Sequence, residues 1–359
     1  MSAVVIDSGS CKIKAGLAGD DAPSFVFPSV VGIPRAEGEK LCGDAAIQNR
    51  ETHRIFSPIS RGFATNWDQV SDIWRHTFSD VFHVAPEEHP VLLSEAPLNP
   101  GANRMKMAQI MFETFNVPSI CIQIQAALAL YASGHTSGMV VDAGKEIIRI
   151  VPVNEGHCVA NAIQTVGLGG EDLTNYLMRI LSERGYTFVS ETDRANVNEI
   201  KEKMCFVSED FAADMSEPGP DKSYSLPDGT TIAIGTECFR CPEVLFNPTL
   251  IGKEDNAVDV ALFTSSEQCD HAIRDTLRAN IVLAGGTTMF RGFAERLQGR
   301  MINLCPPGKQ VVIRAAPERT FFAWMGGSIM ATLSTFPQNC ITRADYDEAG
   351  PDRVLTKWT

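Results

Sequence analysis

A short motif that occurs twice constrains the fold of this chain more than any other feature. Residues 3–11 read Ala-Val-Val-Ile-Asp-Ser-Gly-Ser-Cys, and residues 138–146 read Gly-Met-Val-Val-Asp-Ala-Gly-Lys-Glu. In both, an apolar run typical of a buried strand ends at an aspartate, and small residues form a turn. A second strand-like run follows each turn, at residues 13–17 and 147–153. The repeat predicts two related α/β domains, although this turn signal is common enough for a coincidence.

Length and charge predict the number of domains and argue against some classes of ligand. The 359 residues are too many for one ordinary hydrophobic core, so two packed domains are expected. The formal net charge of -13 repels a nucleic-acid backbone, and no local cluster of basic residues offsets it. We therefore expect no direct nucleic-acid binding. No window is apolar over the length needed to cross a bilayer, so membrane insertion is not expected either.

The cysteines favour a reducing compartment. They run from Cys11 to Cys340 without regular spacing, and the N-terminal residues lack the pattern of a secretory signal. An intracellular protein with reduced thiols is the simplest interpretation. Cys238 and Cys241 form the closest pair, but a zinc site needs further ligands at suitable spacing, and only His271 follows. Two ordinary thiols near a turn are expected there.

Further glycine turns favour a ligand site. Residues 281–292 read Ile-Val-Leu-Ala-Gly-Gly-Thr-Thr-Met-Phe-Arg-Gly, which predicts a strand running into Gly285 and Gly286 and then the start of a helix. Paired glycines let the backbone approach a ligand closely, and the amides that follow can bind a phosphate or the adenosine end of a nucleotide. Another small-residue loop at residues 167–170 precedes a predicted helix at 173–182. Helices are also predicted at residues 104–115 and 198–206, and a hairpin turn at 226–229.

Several long stretches of the sequence resemble actin. Among them are Lys-Ala-Gly-Leu-Ala-Gly-Asp-Asp-Ala-Pro at 14–23, Ala-Pro-Glu-Glu-His-Pro-Val-Leu-Leu at 85–93, Gln-Ile-Met-Phe-Glu-Thr-Phe-Asn at 109–116 and Gly-Gly-Thr-Thr-Met at 285–289. Runs of this length are far more specific than a single glycine motif, and the resemblance covers nearly the whole chain. It implies a two-lobed actin/Hsp70-type ATPase fold, an α/β architecture with duplicated domains around a central nucleotide cleft.

The resemblance also implies boundaries and cofactors. An outer, smaller lobe would comprise residues 1–132 and 322–359, with a shortened filament-contact subdomain at about 29–57. An inner, larger lobe would comprise residues 133–321, with a peripheral subdomain at about 169–253. The cofactors implied are ATP or ADP with Mg, or alternatively Ca.

Site residues are carried over by their positions in the matching motifs. The first phosphate loop would contain Asp7, Ser8, Gly9, Ser10 and Lys14, and the second would contain Asp142, Ala143, Gly144 and Lys145. The remaining nucleotide contacts would come from Gly170, Lys201, Glu202, Gly285, Gly286, Thr287 and Met289. Asp7 and Asp142 would hold a metal through waters, and Gln125 would position the attacking water from a hinge strand. These types suit the chemistry, since carboxylates hold metal-bound waters while lysine and backbone donors stabilise a transferring phosphoryl group.

The sequence departs from the family pattern where the chemistry would occur. Lys145 stands where relatives carry an acid, so it either contacts the phosphates and partly replaces the charge of the metal or cripples metal binding. Glu146 replaces a glycine, and Cys11 replaces another in the first loop. Arg149 stands where relatives place a histidine near the attacking water, and arginine stays charged and cannot relay a proton. Thr320 replaces a lysine near the adenine. Together these changes predict slow or absent hydrolysis.

A second group of departures concerns assembly. Between residues 35 and 43 the chain is too short for the apolar loop with which actin docks into the next filament subunit, and Lys253 replaces an apolar residue in a second contact segment. Trp358 is a candidate partner anchor at the chain end. One surface matches better: a basal groove that receives amphipathic helices would be lined by Tyr131, Gly134, Thr136, Gly156, Ile329, Met330 and Leu333.

Three functions remain open from these residues. The first is a divergent actin-like structural or interaction subunit that binds nucleotide, joins other actin-like subunits or actin-binding proteins through the groove, and acts in the cytoplasm and cytoskeleton. The second is a polymerising actin with a working ATPase. The third is a nuclear actin-related subunit of a chromatin complex.

Overall fold

The computed structural model describes residues 2–357, so Trp358 lies outside the described residues. The chain divides into two compact units. The first unit contains the described residues up to Thr136, the segment Glu155–Cys158, and the residues from Phe321 onward. The second unit contains Ser137–Asn154 and Val159–Thr320. The lobe boundaries and subdomains implied by the resemblance stay a prediction.

The secondary structure of the described residues alternates strands and helices throughout. The strands in chain order are β1 Val4–Ser8, β2 Lys12–Leu17, β3 Phe25–Pro28, β4 Val31–Pro34, β5 Leu41–Cys42, β6 His53–Phe56, β7 Ile59–Ser60, β8 Phe63–Ala64, β9 Val91–Glu95, β10 Ser119–Ile124, β11 Gly138–Ala143, β12 Ile148–Asn154, β13 His157–Cys158, β14 Gln164–Val166, β15 Lys222–Ser225, β16 Thr231–Ile234, β17 Ile281–Ala284, β18 Ile313–Arg314 and β19 Ile341–Thr342. The α-helices are α1 Gly43–Gln48, α2 Trp67–His76, α3 Gly101–Gln109, α4 Gln125–Ala132, α5 Gly170–Ser182, α6 Glu191–Met204, α7 Phe211–Ser216, α8 Glu237–Glu243, α9 Val258–Gln268, α10 His271–Arg278, α11 Phe293–Leu304, α12 Phe322–Thr332, α13 Phe336–Asn339, α14 Arg343–Ala349 and α15 Arg353–Lys357. Shorter 3-10 or π turns lie at Thr77–Phe82, Pro86–Glu88, Ile110–Thr114, Ala160–Ala162, Pro248–Ile251, Gly286–Met289 and Arg319–Phe321.

The two units are built on sheets with the same strand pattern. In the first, the order is β3-β2-β1-β9-β10-β19, with β1 antiparallel to β2 and parallel to β9. In the second, the order is β13-β12-β11-β17-β18, with β14 also paired to β12, and β11 is antiparallel to β12 and parallel to β17. The repeated motif in the sequence therefore marks a repeated structure and is no coincidence. We call β1–β2 the first hairpin and β11–β12 the second hairpin.

The central strands carry continuous apolar runs because both faces of these sheets are covered. The four residues from Val4 to Asp7 are all buried, and so are the first four of β11. Such runs are typical of strands that lie inside an α/β sheet. Each run places its strand-end aspartate at the carboxyl edge, where the turn of the hairpin begins.

In the first unit, α4 and α12 pack closely enough that a side chain is excluded between them. A Cβ atom on Gly326 would lie 1.8 Å from the carbonyl oxygen of Leu128. Trp324, also on α12, is fully buried and donates from its indole nitrogen to the carbonyl oxygen of Val5 over 3.0 Å. This packing fixes α4, whose first residue is Gln125, against the sheet that carries the first hairpin.

Several local predictions are confirmed. The helix expected at residues 173–182 is part of α5, the helix at 198–206 corresponds to α6, and the turn at 226–229 joins β15 to β16. The helix expected at 104–115 begins earlier, as α3, and widens into the π turn Ile110–Thr114.

The cysteines, the potential metal ligands and the helices add three findings. All ten cysteines are free thiols, and Cys238 and Cys241 are both buried on α8. Among the described residues no group of three or more histidine, cysteine or acidic side chains is arranged to hold a metal ion. Residues 2–357 contain no helix that is both long enough and apolar enough to span a membrane.

Candidate functional site

The first hairpin holds a buried carboxylate that is bonded on both oxygens. Asp7 is 1% exposed. Its Oδ2 accepts from the Nζ of Lys14 over 2.8 Å. Its Oδ1 accepts from the hydroxyl of Ser94 over 2.6 Å and from the Nε2 of Gln125 over 2.9 Å. Lys14 can reach Asp7 because the two residues lie directly opposite each other in the β1–β2 register.

These contacts set the charge of Asp7. Burial acts to raise the pKa of the carboxyl group, but the charge of Lys14 and the hydrogen bonds from Lys14, Ser94 and Gln125 outweigh it. The pKa of Asp7 is therefore lowered below its ordinary value of 3.8. The carboxylate stays ionised at neutral pH and is a fixed negative charge beneath the turn.

The turn of the first hairpin is tight and its hydroxyls have protein partners. The backbone N–H of Gly9 donates to the carbonyl oxygen of Lys12 over 3.2 Å. The hydroxyl of Ser8 accepts from the indole nitrogen of Trp74 over 3.4 Å, and the hydroxyl of Ser10 accepts from the backbone N–H of Gly62 over 3.0 Å. The predicted residues of this loop therefore lie together at one sheet edge.

Gln125 lies on a different element from the one expected. It is the first residue of α4, directly after β10, and does not lie within a strand. Its amide still reaches the hairpin, because Nε2 also approaches the hydroxyl of Ser94 at 3.4 Å besides donating to Asp7. The observed contacts make Gln125 a partner of Asp7.

The second hairpin has the same turn as the first. The backbone N–H of Gly144 donates to the carbonyl oxygen of Ile147 over 3.0 Å. The N-terminus of α5 holds the outer side of this turn, since Gly170 N–H donates to the carbonyl oxygen of Gly144 over 3.0 Å and Glu171 N–H donates to that of Lys145 over 2.8 Å. Ala143, before the turn, is buried at the end of β11.

Two glycines allow the backbone to close on this hairpin. A Cβ on Gly169 would lie 2.3 Å from the carbonyl oxygen of Lys145. Gly285 has a φ of +82°, and a Cβ there would lie 2.4 Å from the carbonyl oxygen of Ala143. Thr287 supports the same turn by donating its hydroxyl to the carbonyl oxygen of Gly144 over 2.8 Å. The loop after β17 is thus fitted to the second hairpin, while Gly286 and Met289 of that loop are exposed.

Arg149 faces the aspartate of the second hairpin. Asp142 and Arg149 are opposite each other in the β11–β12 register, as Asp7 and Lys14 are in the first hairpin. Residues opposite each other in an antiparallel pair share a face of the sheet. Arg149 is 6% exposed. Each strand-end aspartate therefore has a cationic residue across from it.

Lys201 is a supporting residue in the observed contacts. It is 6% exposed, and its Nζ donates to the carbonyl oxygen of Gly170, the hydroxyl of Thr174 and the Oδ1 of Asn198 over 2.8, 2.9 and 2.8 Å. It thus fixes the N-terminus of α5, which in turn holds the second hairpin. The neighbouring Glu202 is exposed and accepts from Asn198 over 2.8 Å.

Sequence reasoning did not predict two residues that hold candidate site residues in place. Ser94 binds Asp7, and a signal for it existed: β9 is an apolar strand whose last residues turn polar at Ser94 and Glu95. Thr174 binds Lys201 from inside α5, where nothing in the local sequence distinguishes it from an ordinary helical threonine.

The residues expected to line the partner groove all lie in the first unit. Gly156 N–H donates to the carbonyl oxygen of Thr136 over 2.8 Å, and a Cβ on Gly156 would come within 2.6 Å of the Tyr131 hydroxyl. Ile329 and Leu333, on and directly after α12, are 45% and 51% exposed. Of the other residues expected in the groove, Met330 is buried and Gly134 is exposed.

The described residues fit a nucleotide phosphate better than a divalent metal. A lysine beside a tight glycine turn is suited to phosphate, because its ammonium group and the backbone N–H groups can donate to phosphate oxygens. The two carboxylates expected to hold a metal are less suitable. Asp7 has both oxygens bonded within the protein, and Asp142 faces Arg149. Each of these carboxylates therefore has a cationic residue beside it, which reduces its attraction for Mg or Ca.

Two α/β units with one strand pattern, each carrying an Asp-x-Gly hairpin with a facing cation, define a duplicated protein of the actin-type ATPase fold. A family model described as Actin matches residues 1–359, the whole chain. The chain belongs to the actin family.

Proposed function

We propose that this chain binds ATP or ADP as a stabilising cofactor and acts as a structural or interaction subunit of a filament or fixed assembly, hydrolysing ATP slowly or not at all. The observation that carries the proposal is Arg149 opposite Asp142. A guanidinium group stays protonated at neutral pH and cannot accept a proton from an attacking water. It can still balance negative charge, so the position supports binding better than turnover.

The nucleotide contacts of the proposal remain those carried over from the family. Asp7, Ser8, Gly9, Ser10 and Lys14 would serve in the first hairpin. Asp142, Ala143, Gly144 and Lys145 would serve in the second, with Gly170, Lys201, Glu202, Gly285, Gly286, Thr287 and Met289 around them. Gln125 would position the attacking water, and its amide is also bonded to Asp7 at 2.9 Å. A bound nucleotide supplies phosphate charge that the cationic side chains neutralise.

Two features of the described residues support a role in assembly that differs from that of a freely polymerising actin. The link between β4 and β5 is only the exposed segment 35–40, which contains no apolar side chain large enough to dock. Lys253 forms an ion pair with Asp172 at 2.8 Å, so this second segment is tied to α5. We propose that partners instead use the exposed apolar side chains Ile329 and Leu333, which suit the apolar face of an amphipathic helix. We also propose that the protein acts in the cytoplasm, as part of the cytoskeleton.

The cleft content of the native protein tests nucleotide binding. Acid extraction followed by chromatography is expected to yield ATP or ADP in near-equal amount to protein. Adding ATP at 100 times its Kd to stripped protein should stabilise the fold by about 2.7 kcal/mol, measured by thermal denaturation. Protein that contains no nucleotide and shows no thermal shift would sink the proposal.

Phosphate release tests the second part of the proposal. Since a missing proton acceptor costs about 10²-fold or more in rate, release should be at least that much slower than from a polymerising actin assayed alongside. Turnover at the rate of that actin would contradict the assignment. The same sample spun after addition of polymerising salt should stay in the supernatant, and a pellet would favour a polymerising actin instead.

A further inference from the structure

The second hairpin repeats the charge arrangement of the first, and this bears on how phosphate is held. In the first hairpin, the aspartate is neutralised by the cation across from it, with 2.8 Å between Lys14 Nζ and Asp7 Oδ2. The spacing along the chain is seven residues. In the second hairpin, Asp142 and Arg149 have the same spacing and the same opposed register. Arg149 is thus the structural counterpart of Lys14.

The tips of the two hairpins differ in charge, and the difference that favours an anion is at one position. Both turns close with an N–H two residues after the aspartate bonded to the carbonyl five residues after it. The residue three after the aspartate is therefore equivalent in the two, and it is Ser10 in the first and Lys145 in the second. Lys145 is half-buried at the tip. The backbone of Lys145 is fixed, because its carbonyl oxygen accepts from Glu171 N–H over 2.8 Å, and this places the lysine side chain at the tip of the hairpin.

From these observations we infer that the second hairpin anchors nucleotide phosphate with Lys145 and Arg149 in place of a divalent cation. The inference rests on the proposed nucleotide binding and adds that this binding does not require a metal. In such a site, carboxylates bind a divalent ion, and the ion neutralises the negative charge of the phosphate oxygens. Arg149 reduces the attraction of Asp142 for a second cation, and Lys145 supplies positive charge where phosphate would lie. Glu146, beside Lys145 at the tip, carries the opposite charge, so the affinity depends on both cations.

The experiment measures ATP affinity of the full chain, stripped of nucleotide, in Mg and in excess EDTA. A fluorescent ATP analogue serves as probe, with unlabelled ATP as competitor. Wild-type affinity in EDTA is expected to remain within about threefold of the value in Mg. Lys145→Ser, which copies Ser10 of the first hairpin, should weaken binding in EDTA by about tenfold or more, as expected for the loss of a charge-assisted contact. The control is Lys222→Ser, an exposed lysine of the same unit on β15, which should leave both affinities unchanged.

The outcomes separate this inference from the proposal beneath it. No ATP binding in either condition would overturn the proposed function and the inference with it. Tight binding in Mg that falls by more than tenfold in EDTA would overturn the inference alone. Lys145→Ser that behaves as Lys222→Ser would also overturn it, since Lys145 would then have no part in holding phosphate. Circular dichroism of each variant shows whether the fold is kept.

Discussion

Replacing Asp7 by asparagine is expected to destabilise the protein by roughly 2–4 kcal/mol. Removing one member of a buried ion pair costs about 3–5 kcal/mol because the other charge stays behind. The lower figure applies here because Lys14 keeps 18% of its side chain exposed and can be partly solvated. The amide oxygen of asparagine can still accept from Ser94 and Gln125, but its NH2 group would replace the oxygen that accepts from Lys14 and place two donors against each other. Urea unfolding followed by tryptophan fluorescence measures the change.

The pH dependence of this effect has a defined sign. The folded-state pKa of Asp7 lies below the ordinary 3.8, so its contribution is present above that pH and is lost as the pH falls through the folded-state pKa. The difference in stability between wild type and Asp7→Asn should therefore be constant near neutrality and shrink below about pH 4. Asp21→Asn removes an exposed carboxylate of the same unit and should change stability by less than about 0.5 kcal/mol. An equal loss of stability from both substitutions would show that the ion pair between Asp7 and Lys14 contributes no more than an exposed carboxylate does.

Asp7→Asn should also weaken ATP binding, for a reason separate from stability. The ion pair holds Lys14 at the turn of the first hairpin, where the family resemblance places a phosphate contact. Without the carboxylate, the lysine loses its fixed position and must be ordered when the ligand binds. At a temperature where the variant is folded, its affinity for ATP is expected to fall by about tenfold. Affinity equal to wild type would mean that the first hairpin does not position Lys14 for the ligand.

The sequence predicted the two hairpins well because their signals are local. An apolar run, an aspartate and a glycine turn occupy consecutive residues, and the strands lie where those runs are. Gly285 could be anticipated in the same way, since paired glycines after an apolar run predict a backbone that only glycine allows. Gly285 has a φ of +82°, a conformation that favours glycine, as expected. The whole-chain family match shows that the long identical-looking stretches were a sound basis for the fold.

The partners of the site residues were not predictable in the same way. The contact between Ser94 and Asp7 joins residues 87 positions apart, and it depends on the pairing of β1 with β9. The role predicted for Arg149 near an attacking water stays a prediction, and the register adds that this residue lies opposite Asp142. Between β1 and β9, which are far apart in sequence, register is fixed by the packing of whole strands, and a shift by one residue would turn each side chain to the other face. No local pattern carries that information.

Burial adds contacts of Lys201 that the sequence did not indicate. The family resemblance places Lys201 beside the nucleoside, and that role stays a prediction. Its long side chain crosses to α5 and donates to three oxygen acceptors inside the unit. Polar partners that come from another helix decide whether a lysine can be buried, and they cannot be recognised from the residues beside it in sequence.

Gly326→Ala is expected to be the most damaging single change of a glycine in the first unit. The new Cβ would lie 1.8 Å from the carbonyl oxygen and 2.5 Å from the carbonyl carbon of Leu128. Because the obstacle is backbone, no side-chain rotation relieves it, and α4 and α12 must separate. Overpacking usually costs about 1–3 kcal/mol, and this contact should cost about 3 kcal/mol or more. A thermal unfolding midpoint close to that of wild type would contradict the close packing.

The same substitution tests whether helix position controls the site. Gln125 begins α4 one turn before Leu128, so a displaced α4 withdraws the amide that donates to Asp7 over 2.9 Å. Gly326→Ala should therefore weaken ATP binding even at a temperature where the protein remains folded. Gly299→Ala is the matched control: it lies within α11, a Cβ there meets nothing within 4 Å, and alanine should stabilise the helix by about 0.5–1 kcal/mol. A Gly326→Ala protein that is less stable yet binds ATP as wild type does would show that Gln125 is positioned by β10 alone.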